Sequence, residues 1–314
     1  MVSRRAVLKA LLAFGAGSTA LAGYALGIEP NWRLRVQSYR FTPRGWPKGL
    51  RLRAALIADL HAGEPQMSVA RIGEIVTRAN ALEPDIHLLL GDYEAGHRWL
   101  TRRVPASEWA AALAPLKAPL GAHAILGNHD WWDDHQAQLR RAGPVIGRLE
   151  LEKHGIRVYE NDAVRLTSRG QSFWLAGLGD QLAIDRSYES SFMQLPREER
   201  RFRRYRGIDD LPGTLARITD EAPVVLMAHE PDVFPTVPGR VSVTLSGHTH
   251  GGQVRLMGYS PVVPSHFGNR YAYGHVVEEG RHLVVSGGLG CSIMPVRFGV
   301  PPEIVLLELG AHPA

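Results

Sequence analysis

His123-Ala124-Ile125-Leu126-Gly127-Asn128-His129-Asp130 is a short apolar run that stops at a glycine and then presents an amide, an imidazole and a carboxylate in succession. An apolar run of roughly four to eight residues bounded by a turn residue reads as a buried strand. The polar triplet therefore stands where a strand gives way to a loop. The same grammar recurs along the chain. The run 52–58 leads into Asp59-Leu60-His61, 86–90 into Gly91-Asp92, 224–227 delivers His229, and 241–245 leads into Gly247-His248-Thr249-His250. Each piece alone has an ordinary explanation, since Gly91-Asp92 suits any turn and a single histidine after a strand is commonly a hydrogen-bonded structural residue. Five of them in order, each behind its own apolar run, form a set.

Asp59, His61, Asp92, Asn128, His229, His248 and His250 are seven candidate ligands. That is too many for one tetrahedral ion, but it suits two ions that share a bridging carboxylate. Carboxylate, amide and imidazole donors favour divalent Mn, Fe, Co or Zn, and Cys291, the lone cysteine, excludes a thiolate site. Two ions about 3.5–4 Å apart hold an activated hydroxide and clamp the attacking and leaving oxygens of an in-line phosphoryl displacement. His129 is left over, between Asn128 and Asp130. There it can give a proton to the leaving oxygen or steady developing charge, with Asp130 setting its tautomer. Trp131 and Trp132 either line a pocket beside the metals or fill the core. His97, Arg98 and Arg297 are candidate phosphate contacts, whereas His135 and His275 show no pattern.

These strings resemble the signature of the calcineurin-like metallophosphoesterase superfamily: Asp-x-His, Gly-Asp, Gly-Asn-His-Asp, a strand-terminal His and Gly-His-x-His. The resemblance spans Leu52 to about Leu309. It implies that Asp59, His61, Asp92 and His250 hold a first metal, and that Asp92 bridges to a second completed by Asn128, His229 and His248. His129 would be the catalytic histidine that is not a ligand. It further implies a four-layer αββα sandwich of two mixed sheets flanked by helices. More narrowly, Gly247-His248-Thr249-His250-Gly251-Gly252-Gln253, Ser286-Gly287-Gly288-Leu289-Gly290, Pro295-Val296-Arg297 and Pro302-Glu303-Ile304 resemble a bacterial exported or membrane-associated branch. Asp92-Tyr93-Glu94 departs from the shorter polar turn of many relatives outside that branch, and is not read as damage to the site.

Strands alternating with helices up to about Gly155 independently indicate an α/β fold. Val69, Ile72, Ile75, Val76 and Ala79 recur at helical spacing, closed by Glu83-Pro84-Asp85. A second helix is expected around Trp109, Leu113 and Leu116. A third should start at Pro144 and end at His154-Gly155. The stretches 163–167 and 172–178 flank a Ser-Arg-Gly turn and read as a hairpin. We divide the chain into a leader at 1–28, a linker or edge segment at 29–50, and one domain at 51–314, with no internal repeat.

The 314 residues carry a formal charge of +5. Arg4, Arg5 and Lys9 lie in a leader without acidic residues, and setting them aside leaves 33 basic against 31 acidic residues. A body so nearly balanced requires no polyanionic partner, so no nucleic acid is expected and a nuclease is disfavoured. Ser3-Arg4-Arg5 before an uncharged stretch at 10–28 resembles a twin-arginine export signal, with Ala20-Leu21-Ala22 suited to a signal peptidase. The alternative is a plain membrane anchor. The expectation is therefore an exported enzyme, periplasmic or on the outer face of the cytoplasmic membrane, that uses the twin-arginine translocase as a transient partner. Arg197, Arg200, Arg201, Arg203, Arg204 and Arg206 crowd together. They either meet an anionic substrate or membrane surface, or form a solvated face paired with Glu198, Glu199, Asp209 and Asp210, which is the favoured reading. The expected activity is hydrolysis of a phosphodiester, phosphomonoester or pyrophosphate in a phosphorylated small molecule or lipid. One alternative is a lipid-linked nucleotide pyrophosphohydrolase of the UDP-2,3-diacylglucosamine type. The other, a metal-bound envelope scaffold without turnover, is opposed by the presence of every ligand and of His129.

Overall fold

Strands buried on both faces read as continuous apolar runs, and the central strands of this protein do so because each lies between two packed layers. The computed structural model describes residues 4–197, 199 and 204–310. Its first sheet is built from Arg35–Phe41 (β1), Leu52–Ile57 (β2), Ile86–Leu89 (β3), Ala122–Ala124 (β4), Arg157–Val158 (β5) and, from the far end of the chain, Glu303–Leu309. The second contains Asp162–Ser168 (β6), Gln171–Gly177 (β7), Val224–Met227 (β8), Val243–Ser246 (β9), Gly274–Glu278 (β10) and Arg281–Val285 (β11). With Glu303–Leu309 as β12, the orders are β1-β12-β2-β3-β4-β5 and β10-β11-β9-β8-β7-β6. Both sheets are mixed. β2 to β5 run parallel and β12 is antiparallel to β2, while β7, β8, β9 and β11 run parallel between antiparallel edge strands.

Side-chain alternation along the strands divides the apolar residues between layers. Leu52, Ala54 and Leu56 of β2 enter the core between the sheets, where they meet Val225 and Met227 of β8. Ala55 and Ile57 point the other way, onto Ile72, Ile75 and Trp109 of the helices Val69–Asn80 and Ala106–Leu113. Val224 and Leu226 pack outward against Leu211 of the helix Leu211–Ala216. The four-layer αββα arrangement follows, and each fully buried Leu, Ile or Val contributes on the order of 1.5–3 kcal/mol to holding it.

Most local expectations hold, with shifted ends. The hairpin is present as β6 and β7, paired from Asp162↔Gly177 to Ser168↔Gln171. Leu116 lies beyond its helix but stays in the same core, and the third helix is Ile146–Lys153, starting after Pro144. The segment 29–50 supplies β1, the edge strand of the first sheet, paired in parallel with β12. Within the segment expected to be a leader, Arg4–Gly23 forms a helix, and among the described residues no helix is long and apolar enough to cross a membrane. Of the arginine cluster, Arg200, Arg201 and Arg203, with Glu198, lie outside the described residues. Arg204 pairs with Asp185 at 2.8 Å and lies over the Tyr205 ring, so its acidic partner is not one of the four expected.

Candidate metal centre

The parallel strands of both sheets end on the same side of the molecule, so the loops that follow them converge. Asp59 and His61 follow β2, Asp92 follows β3, Asn128 follows β4, His229 follows β8, and His248 and His250 follow β9. All seven candidate ligands are brought together. Asp59, His61 and His250 offer ligand atoms within 4.8 Å of one another, as do Asp92, His229 and His248. His61 Nε2 lies 3.0 Å from His250 Nε2 and 3.6 Å from Asp92 Oδ2, while His229 Nε2 lies 3.3 Å from the same Asp92 oxygen. Asp92 is thus the carboxylate common to both groups. Asn128 joins the second group through its Oδ1, 2.9 Å from His248 Nδ1.

Five of the seven, Asp59, His61, Asp92, His248 and His250, have positive φ between 46° and 67°. A non-glycine residue in that left-handed region costs about 1–2 kcal/mol, and such strain persists only where surrounding bonds enforce it. Here those bonds are present: Asp59 N donates to Gly91 O, His61 N to Asp92 O, and His248 N to Asp59 Oδ1. Gly127 is required for a different reason, because a Cβ there would lie 2.3 Å from Asp92 Oδ1 and 2.7 Å from His229 Cε1.

The orienting bonds leave one nitrogen of each ring for the centre. His61 Nδ1 donates to Glu94 O and His229 Nδ1 to Leu90 O, which turns both Nε2 atoms inward. Burial lowers the His61 pKa to about 3, and burial also lowers those of His248 and His250. These rings stay neutral at physiological pH, with lone pairs available, as metal ligation requires. His229 behaves oppositely: burial disfavours its charge, but Asp92 outweighs this and raises its pKa well above the ordinary value. Burial pushes the Asp59 carboxyl up to about 7. For Asp92, burial pushes upward too, but His229 and His129 prevail and hold it well below the carboxylate range. Asp59 Oδ2 and His229 Nε2 are buried without a hydrogen-bond partner among the described residues. Inward lone pairs, orphaned donor atoms and a buried carboxylate in need of positive charge fit a pair of divalent cations.

His129 sits at the edge of the cluster, its ring perpendicular to that of His61 with centroids 4.9 Å apart. Its nitrogens reach within 4.8 Å of ligand atoms on His61 and Asp92. It faces a cleft lined by His97, Arg98, Trp132, Ser292, Ile293 and Met294, so two of the expected phosphate contacts, His97 and Arg98, do border the centre. Three expectations need correction. Asp130 does not orient His129. Its carboxylate accepts from the backbone N–H groups of Asp92, Tyr93, Glu94 and Gly127, tying the two ligand loops together. The carboxylate beside His129 is Asp133, 3.7 Å from Nδ1 and one helical turn on. Trp131 is fully buried in the core under the helices, and Trp132 is the tryptophan that faces the cleft. Arg297 is fully buried too. It donates to the carbonyls of Gly287, Gly290 and Val300 and stands 3.3 Å from His250 Nδ1, which makes it a brace behind a ligand rather than a substrate contact.

Asp180 and Glu230 were not foreseen. Both are buried and lie within ligand distance of His229. Burial, and then Glu230, push the Asp180 carboxyl well above the carboxylate range. Asp180 follows the hairpin strand β7 with no motif around it; only the neighbourhood of Glu230 to His229 was visible in the sequence.

A family model for calcineurin-like phosphoesterases matches residues 52–252. Over 98% of its length the chain is 27% identical to an uncharacterised metallophosphoesterase, YkuE, of Bacillus subtilis, covering 98% of that protein. It is also 27% identical to the phosphodiesterase YaeI of Escherichia coli, across 98% of this chain and 100% of the relative. A solved dimetal phosphatase from Danio rerio superposes with a TM-score of 0.43 at 15% identity, covering 76% of this chain and 88% of that one.

Proposed function

The chain belongs to the calcineurin-like phosphoesterase family, and from that premise we propose that it is a binuclear-metal phosphodiesterase of the cell envelope. The observation that carries the reading is the pair of ligand groups meeting at Asp92, with His129 beside them. Asp59, His61, Asp92 and His250 would hold one ion, and Asp92, Asn128, His229 and His248 the other. Held there, the ions would supply an activated water and charge neutralisation for phosphoryl transfer.

The chain's own residues do the rest. His61 and His250 present neutral rings because burial keeps them so. At the cleft edge burial works against a charged His129, but Asp92 and Asp133 outweigh it and raise its pKa, which favours the form that gives a proton to the leaving oxygen. Arg98 is the one guanidinium lining the clefts at the centre among the described residues, and the walls are otherwise largely apolar, with Trp132, Ile293 and Met294. One cation suits the single charge of a diester better than the double charge of a monoester.

Turnover of a bis-aryl phosphate against the mono-aryl ester, with each divalent metal supplied in turn, tests this. The diester should be favoured by about tenfold or more in kcat/KM, a difference of about 1.4 kcal/mol, and chelation should abolish turnover. Preference for the monoester, or activity indifferent to chelation, overturns the reading.

The envelope location rests on Arg4 and Arg5 ahead of the uncharged leader. Because metal binding and folding are coupled, the route fits export of a folded, loaded enzyme. Replacing both arginines with lysine should leave active enzyme in the cytoplasm. Unchanged export in cells without the twin-arginine translocase refutes it.

A further inference from the structure

Exposed apolar side chains are scattered singly on most protein surfaces, and a concentration of them marks an interaction site. Ten of the eighteen large apolar side chains exposed among the described residues lie on three segments, 21–32, 256–262 and 293–294. Met257 is fully exposed and Ile293 is 75% exposed.

The three segments are tied to one another through Gln253, Arg255, Arg297 and Phe298. Arg297 N donates to Ala25 O, and the Tyr24 ring stands edge-on to Phe298 at 6.1 Å. Phe298 N in turn donates to Gln253 O, and Arg255 N donates to Phe298 O. The Gln253 side chain donates to Met294 O and accepts from Ser292 N. The end of the leader segment is therefore seated on Arg297 and Phe298, and Phe298 is itself hydrogen-bonded to the start of the loop that carries Leu256 and Met257.

The same loops wall the metal centre. A groove of about 460 Å³ has Asp92, Asn128, His129, His248 and His250 at its floor, and Val262, Ile293 and Met294 among its walls. Those three residues belong to both the groove and the exposed rim. A groove of this size accepts a substantial organic moiety, and its polar end lies where the phosphate would react.

We propose that the substrate is an amphiphilic phosphodiester presented by a lipid bilayer. The rim at 256–262 and 293–294 rests on the leaflet, and the groove receives the diester as it leaves the layer. This rests on the phosphodiesterase reading above. Water adds to phosphorus, one P–O ester bond breaks, and the departing alkoxide takes a proton, yielding a phosphomonoester and an alcohol. The occupant is a leaflet rather than a protein partner because the rim continues into an apolar leader end, with Leu21, Leu26 and Ile28 exposed beside the Ala25 contact. Interfacial seats of this kind are built from such shallow apolar faces.

The test uses the full chain, metal-loaded, beside a Leu256→Ser, Met257→Asp double variant; neither residue lines the groove. Three quantities are measured: sedimentation with mixed phosphatidylcholine–phosphatidylglycerol vesicles, cleavage of phosphatidylglycerol in those vesicles, and turnover of soluble bis-aryl phosphate. The wild type should bind the vesicles and cleave the lipid. In the variant, vesicle binding and lipid cleavage should fall by about tenfold or more, as expected for losing two apolar contacts with the layer, while soluble turnover is unchanged. A wild type that cleaves the soluble diester but neither binds vesicles nor cleaves the lipid overturns the proposal, and so does a variant equal to wild type on vesicles. If the wild type binds vesicles yet cleaves neither diester, the phosphodiesterase reading fails, and the substrate assignment fails with it.

Discussion

Asp92→Asn is expected to lower the metal content of the purified protein from about two divalent ions per chain towards one, and to reduce kcat on a bis-aryl phosphate by about three orders of magnitude. The substitution preserves shape, so the amide oxygen it introduces can still accept the hydrogen bond that His129 N gives to Asp92 Oδ1 at 2.8 Å. What it removes is the charge that stands 3.3 Å from His229 Nε2 and 3.6 Å from His61 Nε2. Among the described residues Asp92 is the one carboxylate grouped at ligand distance with both His61 and His229. Elemental analysis decides the matter independently of turnover. Two ions retained at wild-type affinity would remove Asp92 from the bridging role, and one ion in a fully active wild type would end the binuclear reading.

His129→Ala should keep both ions and lower kcat by about a hundredfold or more, the scale of a lost general acid. Metal content is the discriminating readout, because His129 lies within ligand distance of His61 and Asp92. A variant that drops an ion makes His129 a ligand; one that turns over normally gives it no role. A companion change supplies the pH test. Asp133 is one of the groups that raise the His129 pKa against the opposing effect of burial. Removing that carboxylate in Asp133→Asn lowers the pKa, so the protonated acid is lost at lower pH. The alkaline limb of the kcat profile should move to lower pH with metal content unchanged, and an unmoved limb separates the Asp133 contact from catalysis.

The sequence alone determined the strands and what stands at their ends. That information is local: a strand covered on both faces must be apolar at successive positions, and a ligand loop that leaves it must start with a turn residue. The runs before Asp59, Asp92, Asn128, His229 and His248 are readable for that reason. So is the hairpin around Arg169-Gly170, where strand and turn signals are adjacent. The chain's order of strands, however, does not say that β12 inserts between β1 and β2.

Tertiary structure decided the roles that depend on who is buried beside whom. Trp131 and Trp132 are consecutive, and only the packing of the helix Asn128–Trp132 sends one to the core and the other to the cleft. Asp130 serves backbone groups 36 to 38 residues away, Arg297 braces a ligand 47 residues away, and Asp180 meets Glu230 across two strands of one sheet. The left-handed backbone at five ligands belongs with these. No local signal predicts a conformation that Asp and His rarely adopt, because the bonds that enforce it come from neighbouring loops. Donor chemistry is written residue by residue along the chain, whereas burial, which sets each pKa and the direction each group faces, exists only once the two sheets have closed on one another.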